Sequence, residues 1–127
     1  MLLGSPLIAF AATKALDRAR EFYQSVLGLE LVSEDAMALV FNARGTMLRV
    51  QKVEKLQPQP FTTLGWSVTN IASTVRALNQ KGITFVRYDF LPQDELGIWK
   101  APGGARVAWF RDPDGNLLSL TQFAVTQ

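Results

Sequence analysis

The sequence predicts an α+β fold made of two βαβββ modules, and three observations support that prediction. The order strand–helix–strand–strand–strand reads twice along the 127 residues. Gly28 and Gly82 end the two predicted helices about one module apart. The stretch EKLQPQPF, rich in proline and glutamine, separates the halves as a linker. Repetition matters because neither half alone has enough surface to bury its helix-facing strands well. Residues 1–127 are expected to form a single domain, with module one over about 5–53, a linker over about 54–61 and module two over about 62–124. Two sheets, each backed by a helix, can curl to leave a concave face between them. The alternative is a ferredoxin-like sandwich, and the extra hairpin strand in each half argues against it.

The elements follow in order. PLIAFAAT alternates as a strand, with Ile8, Phe10 and Ala12 on one face and Leu7, Ala9 and Ala11 on the other. KALDRAREFYQSVLG places Leu16, Ala19, Tyr23, Val26 and Leu27 at helical spacing, and Gly28 suits the left-handed position that ends a helix. LELVS, MALVF and GTMLRVQ read as three short strands, the last two joined by the turn NARG. In the second half TLGWSV is a strand, followed by a helix with Asn70 as N-cap, Ile71, Val75 and Leu78 on its apolar face, and Gly82 at its end. ITFVRYDF reads as a strand, LPQDELGIWKAPGG as a long excursion, and ARVAWF and LLSLTQ as the last two strands. DPDG joins those two as a turn, with Pro113 preset for its second position and Gly115 accepting positive φ.

Composition excludes several chemistries. There is no cysteine and no histidine, so zinc ribbons, thiol catalysis and any His-dependent mechanism are ruled out. The thirteen basic residues are scattered and the net charge is +2, which gives no basic stripe for nucleic acid. The apolar start lacks a basic n-region and runs straight into a helical pattern, so it reads as a buried first strand rather than a signal peptide. No apolar run is long enough for a membrane span. The expected location is the cytoplasm.

Three segments, LDRAREFYQSVLGLELV, LGWSVTNIASTVRALNQKGITF and VAWFRDPDGNLLSL, together resemble the vicinal oxygen chelate superfamily. That superfamily includes glyoxalases, extradiol dioxygenases, fosfomycin-modifying enzymes and bleomycin-binding resistance proteins. The resemblance covers nearly the whole chain in the family's order. It implies a glyoxalase-like fold, in which two βαβββ modules form a curled, half-open mixed β-sheet barrel backed by helices, with the ligand site on the concave face. It also implies a metal position built by His or Gln from the first strand, Glu from the fourth, His from the fifth and Glu from the eighth. In this sequence those positions fall at Ile8, at Arg49 (or Gln51 if the register slips by one pair), at Thr63 and at Ser119. Such a set cannot hold a catalytic divalent ion, which needs anionic oxygens or imidazoles and is repelled by a guanidinium. No metal and no cofactor are expected.

Strand alternation completes the expected lining. Leu48 and Val50 face the helix layer, leaving Arg49 and Gln51 inward. Leu64, Trp66, Leu118 and Leu120 do the same in the second module, leaving Thr63, Ser119 and Thr121 inward. The family's register adds Val107 and Trp109. With Ile8 and Phe10, these make an apolar and aromatic wall carrying a few polar groups, which suits a small organic ligand. Arg49 either anchors an anionic or carbonyl oxygen or reaches solvent or a carboxylate across a dimer interface. Trp109 and Phe10 either line the cavity or fill it, and Trp99 either closes over it as a lid or covers the sheet edge. Asp94 and Glu95 are either a general base or solvated loop residues. Ser119 and Thr63 have no base to activate them as nucleophiles.

Three functions compete at this level. The first is a metal-free module that binds a small aromatic or anionic molecule. The second is a lyase, isomerase or dioxygenase of the same superfamily with a divergent active site. The third is an interaction domain whose cavity is filled by its own side chains. The resemblance also implies a homodimer, in which the residues above would belong to half-sites from different subunits.

Overall fold

A computed structural model describes residues 1–125. The chain divides into two compact units, the first Met1–Pro58 and the second from Gln59 onward. Each is a four-stranded mixed sheet with a helix on one face.

In the first unit β1 (Ile8–Thr13), α1 (Leu16–Arg20), β2 (Glu30–Glu34), β3 (Ala38–Ala43) and β4 (Thr46–Lys52) follow in chain order. The sheet runs β1-β4-β3-β2: β2, β3 and β4 form an antiparallel meander and β1 adds to β4 in parallel. Beyond Arg20 the helix widens into a π-helical stretch, Glu21–Val26, whose longer ring is seen where Leu27 N–H donates to Phe22 O at 2.9 Å. The widening turns both Phe22 and Tyr23 into the core. Tyr23 is fully buried and lies 5.8 Å from Phe41, centroid to centroid. Simple helical spacing selects Tyr23 but omits Phe22. Gly28 then takes φ 76° and ends the turn.

The second unit carries β5 (Thr62–Ser67), α2 (Ile71–Gln80), β6 (Trp99–Lys100), β7 (Arg106–Arg111) and β8 (Leu117–Gln122). Its sheet order is β5-β8-β7-β6, again with the first strand parallel to the last. Asn70 caps α2 by accepting from Ser73 N at 3.1 Å, and Ile71, Val75 and Leu78 are its buried face. They pack on the side of the sheet that carries the fully buried Ala108, Phe110 and Leu118. In the turn after β7 the Asp112 carboxylate, 5 % exposed, accepts from the N–H groups of Asp114 and Asn116 and from the Asn116 side-chain amide. Its lone pairs are therefore used in holding the turn.

One predicted element is different. Residues 83–90 do not form a regular strand, and the second strand of this module is the two-residue β6. The cause is a side chain. Val86 N–H does reach Trp109 O at 2.8 Å, as a strand would. On the outer side, however, Gln93 stands where a neighbouring backbone would be. Its Oε1 accepts from Tyr88 N at 2.7 Å, and its Nε2 donates to Val86 O at 3.0 Å and Gly97 O at 2.8 Å. Arg87 draws the excursion back by donating to Asp94 O and Glu95 O, each at 2.6 Å. Backbone groups satisfied by side chains have no need of a ladder. Among the described residues no helix is long and apolar enough to cross a membrane.

Candidate functional site

In each unit the candidate residues, Thr63 excepted, stand on the sheet face opposite the helix. On β4, Leu48 and Val50 are buried while Met47, Arg49 and Gln51 alternate to the other side. Register sets their neighbours. Arg49 lies between Phe10 on β1 and Val40 on β3, Met47 between Ile8 and Asn42, and Gln51 between Ala12 and Ala38. Ile8, Phe10, Arg49 and Gln51 are thus brought onto one face. Phe10 is 50 % exposed, a large apolar ring left in contact with water.

Arg49 is half-buried and makes no hydrogen bond or ion pair among the described residues. Its charge is felt by Asp35, in the turn between β2 and β3. Asp35 is held below the usual carboxylate range, first by the N–H of Met37, next by that of Ala38, and more weakly by Arg49. Because Asp35 Oδ1 already accepts both N–H groups, at 2.7 and 3.0 Å, it belongs to its own turn and leaves the guanidinium available.

On the second sheet, Ser119 lies between Gly65 on β5 and Trp109 on β7, and Thr121 lies between Ser67 and Val107. Ser119 is only 7 % exposed. A Cβ at position 65 would sit 2.7 Å from Ser119 Oγ, so the glycine is what gives that hydroxyl its place. Trp109 stacks on Trp99 at 6.1 Å and 29°, and meets Tyr88 edge-on at 5.3 Å. Tyr88 in turn lies 5.3 Å from Phe90. Trp109, Ser119 and Thr121 therefore share one face beside an aromatic wall. Thr63 stands apart: Thr62 is opposite Leu117 and Leu64 opposite Leu118, so Thr63 is the extra residue of a β-bulge and is exposed.

The wall contains residues that the sequence reading did not select. Tyr88 and Phe90 are two apart in VRYDF, and that spacing was the available signal. Of the loop acids, Asp94 Oδ1 accepts from the N–H groups of Leu96 and Ile98, both at 2.9 Å. That is turn chemistry.

The residues present do not fit a divalent metal. Among the described residues no three carboxylates come together, and the chain has neither histidine nor cysteine. Ile8, Arg49, Thr63 and Ser119 offer two hydroxyls, a hydrocarbon and a cation, which is the wrong donor set for such an ion. The second unit also has two open clefts. One, of about 390 Å³, lies between the end of α2 and Arg87 and Glu95, and the other, of about 380 Å³, is bordered by Asp94, Lys100 and Arg106. Neither includes any of the eight residues expected from the sequence.

Residues 7–120 match the family model described as the Glyoxalase/Bleomycin resistance protein/Dioxygenase superfamily. A virulence protein from Salmonella typhimurium is 31% identical over 110 residues, covering 80% of this chain and 72% of that protein. A solved member of the superfamily from Sphaerobacter thermophilus superposes with a TM-score of 0.73 at 21% identity, over 96% of this chain and 99% of its own. An antibiotic binding protein from a Streptomyces species superposes at 0.72 with 19% identity, over 98% of this chain and 99% of its own.

Proposed function

Because the chain belongs to the glyoxalase/bleomycin resistance protein/dioxygenase superfamily, we propose that it is a metal-free protein that binds a small aromatic or anionic organic molecule on its open sheet faces. The observation that carries this reading is Arg49, a half-buried guanidinium without a hydrogen-bond partner among the described residues, flanked by the exposed ring of Phe10. Ile8 and Gln51 border that pair on the same face. Thr63, Trp109, Ser119 and Thr121 are the corresponding contacts in the second unit, where Trp99 and Trp109 offer a flat stacking surface. The likeness to an antibiotic binding protein is in keeping with this, and is a likeness of fold. The protein works in the cytoplasm as a homodimer in this reading. Exposed Leu7, Ile8, Phe10 and Phe61 support the pairing, since apolar side chains of that size in water favour association.

Two measurements test the proposal. Protein expressed with manganese, iron, nickel and zinc supplied, then gel-filtered, is expected to retain less than about a tenth of an equivalent of any of them, given its donor set. Near one equivalent, removable by chelator with a fall in melting temperature, would favour the lyase, isomerase or dioxygenase reading instead. Arg49→Ala is expected to weaken binding of carboxylate-bearing aromatics by about 1.5–3 kcal/mol, the loss of a charged hydrogen bond. Titration calorimetry measures this directly, and equal affinity in wild type and variant would remove the anchor.

A further inference from the structure

The second unit carries a pair of like charges that its fold does not explain. Lys100 and Arg106 are directly opposite one another across the antiparallel pair β6–β7. Side chains so placed have their Cβ atoms about 4.5–5.5 Å apart, and like charges there destabilise the pair. The hairpin gives them no freedom to slip, because Ala101 N–H donates to Ala105 O at 2.7 Å and closes the loop just beyond them.

Neither charge is paired directly with a carboxylate among the described residues. Across the other edge of β7, Arg106 faces Gln122, whose Oε1 accepts from Ile71 N at 2.9 Å at the start of α2. Neither Lys100 nor Arg106 has a hydrogen bond or an ion pair among the described residues. Asp94 is the one acidic residue lining the adjoining cleft; its Oδ1 accepts from two backbone N–H groups, which holds the carboxylate in its own turn, and its single negative charge stands against the two positive ones. That cleft, about 380 Å³, has Pro92, Gln93 and Ile98 as its remaining walls. The Gln93 amide is committed to the backbone on both its atoms. The side-chain groups left to donate to an anion are therefore the ammonium and the guanidinium.

We propose that this cleft is a second binding site, for a small oxyanion of the phosphate or phosphomonoester class, held between Lys100 and Arg106. The guanidinium presents a planar pair of donors to two oxygens, and the ammonium supplies a compact charge to a third. An anion seated there turns a mutual repulsion into two attractions. The site is separate from the aromatic wall: Trp99 and Lys100 are consecutive on one strand, so their side chains leave it on opposite faces. It also does not depend on the proposal for Arg49, which lies in the other unit.

The test is a titration of the full chain with inorganic phosphate, and separately with phenyl phosphate, followed residue by residue in 1H–15N spectra at constant ionic strength. Saturable shifts confined to residues 92–106 are expected, with affinity reduced about tenfold or more in Arg106→Gln and in Lys100→Gln, the usual cost of a lost charged contact. Lys100→Arg keeps the charge and should keep the binding, which separates loss of the site from loss of the short strand. Tighter binding of phenyl phosphate would mark a phosphomonoester site, and equal binding a site for the free ion; either supports the assignment. Shifts that never saturate, or that are spread over exposed lysines and arginines alike, would overturn it. So would saturable shifts that persist unchanged in Arg106→Gln.

Discussion

Phe110→Ala is expected to lower the free energy of unfolding by about 3–5 kcal/mol, the usual range for emptying a buried aromatic site. Phe110 is fully buried. It meets Phe85 at 5.4 Å and 53° and lies on the sheet face covered by α2. Phe85 comes from the irregular segment before the excursion, so the ring joins helix, sheet and excursion at one point. Its loss leaves a void that β7, held on both sides by β6 and β8, cannot close by moving. Against a total stability of about 5–15 kcal/mol, that is a large fraction. Urea unfolding should show a lower midpoint at unchanged slope. Phe110→Leu, which keeps most of the volume, should cost clearly less. Equal losses in the two variants would mean that the ring is not filling the space.

Gln93→Ala is expected to cost about 2–4 kcal/mol, from three hydrogen bonds at the ordinary net value for each. The side chain itself buries little hydrocarbon. Its removal leaves Tyr88 N–H, Val86 O and Gly97 O without their partner. The damage should be local before it is global. Amide exchange at Tyr88 should speed up strongly, and the near-UV signal of the Trp99–Trp109 stack should weaken as Tyr88 loses its seat against Trp109. Gln93→Glu keeps the acceptor for Tyr88 N–H but loses both donors, so Tyr88 should keep more of its protection than in the alanine variant. If exchange at Tyr88 is unchanged in Gln93→Ala, water has replaced the amide and the excursion does not depend on it.

These two residues also show what was legible beforehand. Phe110 falls on the helix side once the family's register turns Val107 and Trp109 inward, and plain alternation places Leu48, Val50, Leu118 and Leu120 correctly. Strands with one covered face announce themselves by period. The end of β1, the cap at Asn70 and the DPDG turn were readable for a related reason, since each depends on residues close in sequence. Residues 83–90 were not readable: ITFVRYDF has the composition of a strand, but its outer partner is a side chain that follows it in an irregular loop. No local pattern marks Gln93 as standing in for a backbone. The bulge at Thr63 escapes for the same reason, because alternation counts residues and a bulge adds one. Tyr88 and Phe90 went unselected among the candidate ring contacts because their segment had been given to the sheet ladder. Arg49 is the opposite case. Its place on the open face follows from its two buried neighbours, while its lack of a partner is visible only in three dimensions.

The glycine at position 65 has a consequence for how such a chain can change over generations. Of the four positions that the family resemblance gives to metal ligands, Ile8 is 45 % exposed, Arg49 is half-buried and Thr63 is exposed, leaving Ser119 as the buried one. At that buried position, Gly65 opposite leaves the space that the Ser119 hydroxyl occupies. The three more exposed positions can therefore change without disturbing the packed layers behind them, while Ser119 is held to its neighbour. A side chain at residue 65 would bring its Cβ within 2.7 Å of Ser119 Oγ, so what can stand at 119 is tied to glycine at 65.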